Sequence, residues 1–201
     1  MNFFNFSGKI ILVVVVVLTT VVAVCLLSQS PATPLFKAVT NDNLLLAKTI
    51  IASDPGQVQT RYRGRTCLHL AAAKKSADLL RWLVEVGSDI DAADGEGNTP
   101  LHLSVYTRQD STLIWLLVLG ADPNVRNRQG MTPLHVGAYM GMTKWTLKHL
   151  LQHGADPELT DASGRTFLDI TRKTRPGLYQ AYEQLRIEPG NQPSQLTPAD
   201  R

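Results

Sequence analysis

The chain has 201 residues, with 20 Lys and Arg against 17 Asp and Glu and a formal net charge of +3. That length suits one domain, and that balance is too mild for a nucleic-acid-binding surface. Its two cysteines, Cys25 and Cys67, lie in unlike surroundings. No disulfide is expected, and the redox compartment stays open.

From the amino terminus, residues 1–9 read as a short cytoplasmic segment. Ile10 to Leu27 then carries no charge and is rich in valine. Helical, such a run spans roughly 27 Å, near the thickness of a bilayer core. The β-branched valines weaken a helix in water. In lipid every backbone group must bond internally, so a helix is still favoured. A transmembrane signal-anchor helix is predicted over 10–28, followed by a linker at 29–32. Two alternatives stand beside it. One is a signal cleaved after Ser28-Gln-Ser30, where Pro31 would hinder cleavage, leaving a soluble periplasmic or secreted protein. The other is a lipoprotein signal with Cys25 lipidated, although Val24 is not the small residue expected before it. Lys9 precedes the run and Lys37 follows it. The positive-inside rule then keeps the amino terminus in the cytoplasm and exports the rest, in a bacterium across the inner membrane to face the periplasm.

Residues 31–187 repeat. Gly64-Arg-Thr-Cys-Leu-His-Leu-Ala, Gly97-Asn-Thr-Pro-Leu-His-Leu-Ser, Gly130-Met-Thr-Pro-Leu-His-Val-Gly and Gly164-Arg-Thr-Phe-Leu-Asp-Ile-Thr align, with glycines 33, 33 and 34 residues apart. A second marker recurs at Gly87-Ser-Asp, Gly120-Ala-Asp-Pro and Gly154-Ala-Asp-Pro. Thr99 and Thr132 suit helix caps, with Pro100 and Pro133 at the first helical position. The glycine before Ala-Asp suits the left-handed residue that ends a second helix. Each unit therefore reads as turn, helix, helix and finger. One unit cannot bury its apolar face alone, so the units must stack.

This pattern resembles the ankyrin-repeat family over about 155 residues. The resemblance implies an all-α ankyrin-repeat solenoid, here with one N-terminal transmembrane helix. Three full units are expected at about 62–94, 95–127 and 128–161, between degenerate caps at about 31–61 and 162–187. The 34-residue unit carries one extra residue between Gly141 and Gly154. A lengthened turn or a bulge in its second helix is expected there. The tail at 188–201 is polar and proline-rich and is expected to be disordered.

The repeated residues that look like chemistry read as structure. His69, His102 and His135 fall at one motif position, so their rings should lie on the order of 10 Å apart, whereas one zinc needs ligands within about 2.1 Å. Each is expected to hydrogen-bond the neighbouring turn. His149 and His153, at i and i+4, lack the surrounding logic of a metal pair. Asp89, Asp122 and Asp156 recur and read as turn residues. Trp82 and Trp115, equivalent in second helices, are expected in the core, and the place of Trp145 is open. No phosphate loop or nucleophile motif appears, so no catalytic residue, cofactor, metal or small-molecule substrate is expected.

The family resemblance instead implies a partner protein held in the concave groove formed by finger tips and first helices. Carried over by position, the groove would comprise Arg63, Arg65 and Lys74, then Glu96, Asn98, Tyr106 and Arg108, then Gln129, Met131, Tyr139 and Met140, and Arg165 of the last cap. Tyr, Met and Arg are enriched at interfaces. The expected function is a membrane-tethered interaction module, monomeric apart from its partner, that supports or inhibits an exported enzyme, for instance as an immunity protein. The alternative is a secreted effector that acts on host proteins through its repeats.

Overall fold

A computed structural model describes residues 33–187. The predicted membrane segment at 10–28 and the tail at 188–201 lie outside the described residues. Among those described, no helix is long and apolar enough to cross a membrane. The chain divides at Thr33 into two units, and every element below belongs to the second.

The described residues form ten helices in five pairs. They are α1 (Pro34–Thr40) with α2 (Leu44–Ser53), α3 (Cys67–Ala72) with α4 (Ala77–Glu85), α5 (Pro100–Tyr106) with α6 (Asp110–Val118), α7 (Pro133–Met140) with α8 (Lys144–Gln152), and α9 (Phe167–Thr174) with α10 (Pro176–Ile187). A short 3-10 turn at Pro55–Gln59 follows α2. The first finger is a hairpin of β1 (Arg61–Tyr62) and β2 (Arg65–Thr66), closed by Arg63 and Gly64, both at positive φ. Two left-handed residues in a two-residue loop match the twist of a tight hairpin.

None of these helices would persist alone at such lengths, so packing must hold them. Leu35, Leu68, Leu101 and Leu134 occupy equivalent places in successive first helices and are completely buried. Leu80, Leu113 and Leu147 and then Leu83, Leu116 and Leu150 repeat that in the second helices. Each such leucine contributes roughly 2 kcal/mol by leaving water. Gly87, Gly120 and Gly154 end the second helices at φ of 94°, 93° and 86°. Asp89, Asp122 and Asp156 then close turns by accepting the N–H of Asp91, Asn124 and Glu158.

The extra residue of the 34-residue unit sits in the turn between α7 and α8. Gly141, left-handed at φ 79°, ends α7 after eight residues, where α5 has seven. The second helix is not bulged: α8 has nine residues, as α6 does. The insertion brings Met142 over Gly137, where the other full units have Ala71 and Ser104. A Cβ on Gly137 would lie 1.7 Å from Met142 Cε. Met142 Cε is the free end of a flexible but buried side chain, so Gly137→Ala should displace it and forfeit much of the about 1 kcal/mol by which alanine exceeds glycine inside a helix. In a Met142→Ala background the same substitution should be distinctly more favourable. Urea unfolding of the four proteins checks this, and an equal effect in both backgrounds would refute the pairing.

The tryptophans depart from expectation. Trp82 and Trp115 are half-buried rather than core residues, and Trp145 is 44% exposed. The second helices bury Leu79, Leu80 and Leu83, or Thr112, Leu113, Leu116 and Leu117. The tryptophans occupy the flank of that stripe, where an apolar residue obeys helical spacing without facing the stack.

Candidate functional site: a concave trough across the fingers

The motif histidines build the wall behind the site. In His69, His102 and His135, Nδ1 accepts the backbone N–H of Thr66, Thr99 and Thr132 at 3.2 Å. Nε2 donates to the carbonyls of Asn98, Met131 and Arg165 at 2.9, 3.0 and 3.0 Å, each in the next unit. That pairing selects the neutral Nε2–H tautomer. All three rings are buried, and burial lowers their pKa values, that of His102 to about 4. Each ring is thus a rivet between units. In the last unit Asp169 takes over, accepting the Thr166 N–H and hydroxyl at 3.0 and 2.9 Å.

The finger tips are stitched by a second repeated feature. Asp94, Asn127 and Asp161, each three residues before a motif glycine, are buried. Asp94 Oδ1 accepts from Glu96 and Asn98 N–H, Asn127 Oδ1 from Gln129 and Met131, and Asp161 Oδ1 from Ser163 and Arg165. Burial pushes the Asp94 and Asp161 carboxyls up. Their backbone donors and an arginine outweigh it and hold both below the usual range. Arg65 meets Asp94 at 3.3 Å, Asn127 Nδ2 donates to Asn98 Oδ1 at 2.9 Å, and Arg165 meets Asp161 at 2.7 Å. Sequence reading missed these three residues. Their signal was the recurrence before each glycine, broken in the first full unit by Arg61.

Between the fingers and first helices of the last three units lies an open concavity of about 640 Å³. Eight of the expected groove residues line it: Glu96, Asn98, Tyr106, Gln129, Met131, Tyr139, Met140 and Arg165. Leu103 and Val136 form its floor. Tyr106 is 58% and Met140 36% exposed. The Arg165 guanidinium lies 5.7 Å from the Tyr139 ring centroid. The trough thus offers aromatic and thioether surface beside fixed polar groups.

The other four expected residues lie elsewhere. Arg63 occupies the hairpin turn over Tyr62, and Arg65 is drawn to Asp94. Lys74 Nζ donates to the Thr40 carbonyl of the preceding unit, and Arg108 to the Met140 carbonyl of the next. Those cations satisfy helix ends that lack intrahelical partners. Arg175 does the same for the Tyr139 carbonyl at 3.1 Å.

Among the described residues no three His, Cys, Asp or Glu side chains are placed to hold a metal. His149 and His153 each bond the backbone carbonyl four residues earlier. Cys67 is buried, and burial pushes its thiol up to about 12, far from reactive thiolate character.

Two comparisons bear on the nature of this arrangement. No curated protein matches the chain. A family model described as ankyrin repeats (3 copies) matches residues 35–127 and 101–171, together more than half of the chain. Such repeats are generally non-catalytic protein-interaction modules. The chain belongs to the ankyrin-repeat family.

Proposed function

We propose that this protein is a membrane-tethered interaction module whose repeats are exported and seat a partner protein in the trough, supporting or inhibiting an exported enzyme. The convergence of eight groove residues on one concavity carries the reading. The partner would bury on the order of 800 Å² of the repeats, with Tyr106, Tyr139 and Met140 as anchors. The uncharged stretch from Ile10 to Leu27 supplies the tether, and Lys9 before it favours export of the repeats.

Crosslinking in membranes and identification of the captured protein tests the partner. Tyr106→Ala with Tyr139→Ala should lower capture at least about tenfold, since buried aromatic anchors each contribute about 2 kcal/mol or more. Undiminished capture would place the binding surface elsewhere. A carboxy-terminal alkaline-phosphatase fusion should be active in a bacterial host, and an inactive one would overturn export.

A further inference from the structure

The second helices carry an outer face that the trough does not use. In the middle of the stack, α6 reads Asp-Ser-Thr-Leu-Ile-Trp-Leu-Leu-Val, and from Leu113 onward it is apolar on every side. A helix apolar all round is ordinarily covered all round. Here Leu113, Leu116 and Leu117 are buried, while Val118 is 58% exposed and Ile114 and Trp115 are half-buried. The flanking helices extend the face. Trp82 on α4 holds the place of Trp115, and Arg81 lies 4.4 Å from the Trp115 ring centroid. On α8 that place is taken by His149, and the Trp145 ring lies tilted against it with centroids 4.0 Å apart. All three tryptophans of the chain therefore lie on this one face.

We infer that this face docks on the headgroup region of an anionic lipid bilayer. The inference rests on the membrane tether proposed above. Tryptophan prefers the interface, where its ring lies among apolar groups and its N–H stays wet. The surrounding charge suits anionic lipid: Arg81 stands over Trp115, and exposed Lys144 adjoins Trp145 in the chain. On the second helices, Asp78 and Glu85 of α4 are exposed acids, while Asp110 of α6 is half-buried and accepts the Thr146 hydroxyl at 3.0 Å. Contact is therefore made mainly by α6 and α8. Leu45, 77% exposed at the start of α2, and exposed Lys48 repeat the apolar-plus-cation pairing in the first helix pair. Residues 29–33 alone separate the predicted span from α1, and five residues reach at most about 18 Å. The trough, built from fingers and first helices, stays open to a partner.

Because the apolar stretch holds no tryptophan, tryptophan fluorescence, excited selectively over tyrosine, reports on this face alone. Full-length protein should be reconstituted into vesicles of phosphatidylcholine and phosphatidylserine and recovered with them on flotation. Lipids brominated high on the acyl chain should quench its emission at least about twofold, and iodide should quench it little. Val118→Asp should restore iodide access and relieve lipid quenching while the protein still floats. Protein that floats with its tryptophans open to iodide and untouched by brominated lipid would overturn the docking and leave the tether standing. Protein that does not float would overturn both. Shielding that tracks protein concentration and ignores brominated lipid would give the face to a second copy of the chain, and the inference would fail.

Discussion

Lowering the pH from 7.5 to 4 should cost the repeats about 3 kcal/mol at His102 alone. Its folded pKa lies at about 4, against 6.5 for an exposed histidine, because burial penalises the charged ring. The unfolded chain therefore takes up the proton first. Stability is whole above pH 6.5 and falls as pH drops through the interval down to about 4. His69 and His135 are lowered by the same cause and add to the loss in the same direction. Geometry gives a second reason. A proton on Nδ1 would face the Thr99 N–H, which now donates to it at 3.2 Å, and would leave the capping box without its acceptor. Asp94, Asp161 and Asp169 are held low, so their contribution is lost only as pH falls below the ordinary carboxylate range. Asp91 is raised by burial and works weakly the other way. Urea midpoints across this interval measure the effect. His102→Asn should be less stable at pH 7.5 but should lose distinctly less on acidification. An acid loss equal to that of the parent would show that other groups carry it.

Much of this architecture was legible because each repeat states the same physical requirement. Thr99 before Pro100 specified a capped helix start, and His102 at a fixed offset specified a bond to the next turn. Both readings needed only spacing. The finger residues Asp94, Asn127 and Asp161 were equally periodic, yet a buried side-chain oxygen that accepts backbone N–H groups looks in sequence like any polar turn residue. Trp82 and Trp115 show a different limit. A period of 3.6 separates a helix's inner half from its outer half, but it cannot separate the flank of the stripe from its centre. Lys74 and Arg108 show a third. Their charge is visible in sequence, but the unpaired carbonyls of Thr40 and Met140 become neighbours only when the units stack. The trough was legible as a set of positions and not as a cavity, since its volume depends on which neighbours face one another.

Gly130→Ala should destabilise the protein by about 2–4 kcal/mol, well beyond the cost of the same substitution at Gly120. Both glycines are left-handed, at φ of 70° and 93°, and either alanine would bear about 1–2 kcal/mol of backbone strain. At Gly120 nothing lies within 4 Å of an added Cβ, so strain is the whole cost. At Gly130 that Cβ would sit 2.6 Å from the backbone nitrogen of Ala162 and 3.1 Å from the carbonyl carbon of Asp161. Neither atom can swing aside as a flexible side chain does. The fingers would have to separate, stretching the 2.9 Å bond from the Ala162 N–H to the Gln129 carbonyl and disturbing the buried Asp161 turn. Gln129, Met131 and Arg165 sit on the two fingers concerned, so the same change should widen the trough. Paired unfolding curves for Gly130→Ala and Gly120→Ala decide the matter. If the two losses agree within error, close approach of the fingers does not hold the last units together. If Gly130→Ala loses more stability and also more partner capture than Gly120→Ala, the stitching of the fingers and the shape of the trough are one property of the stack.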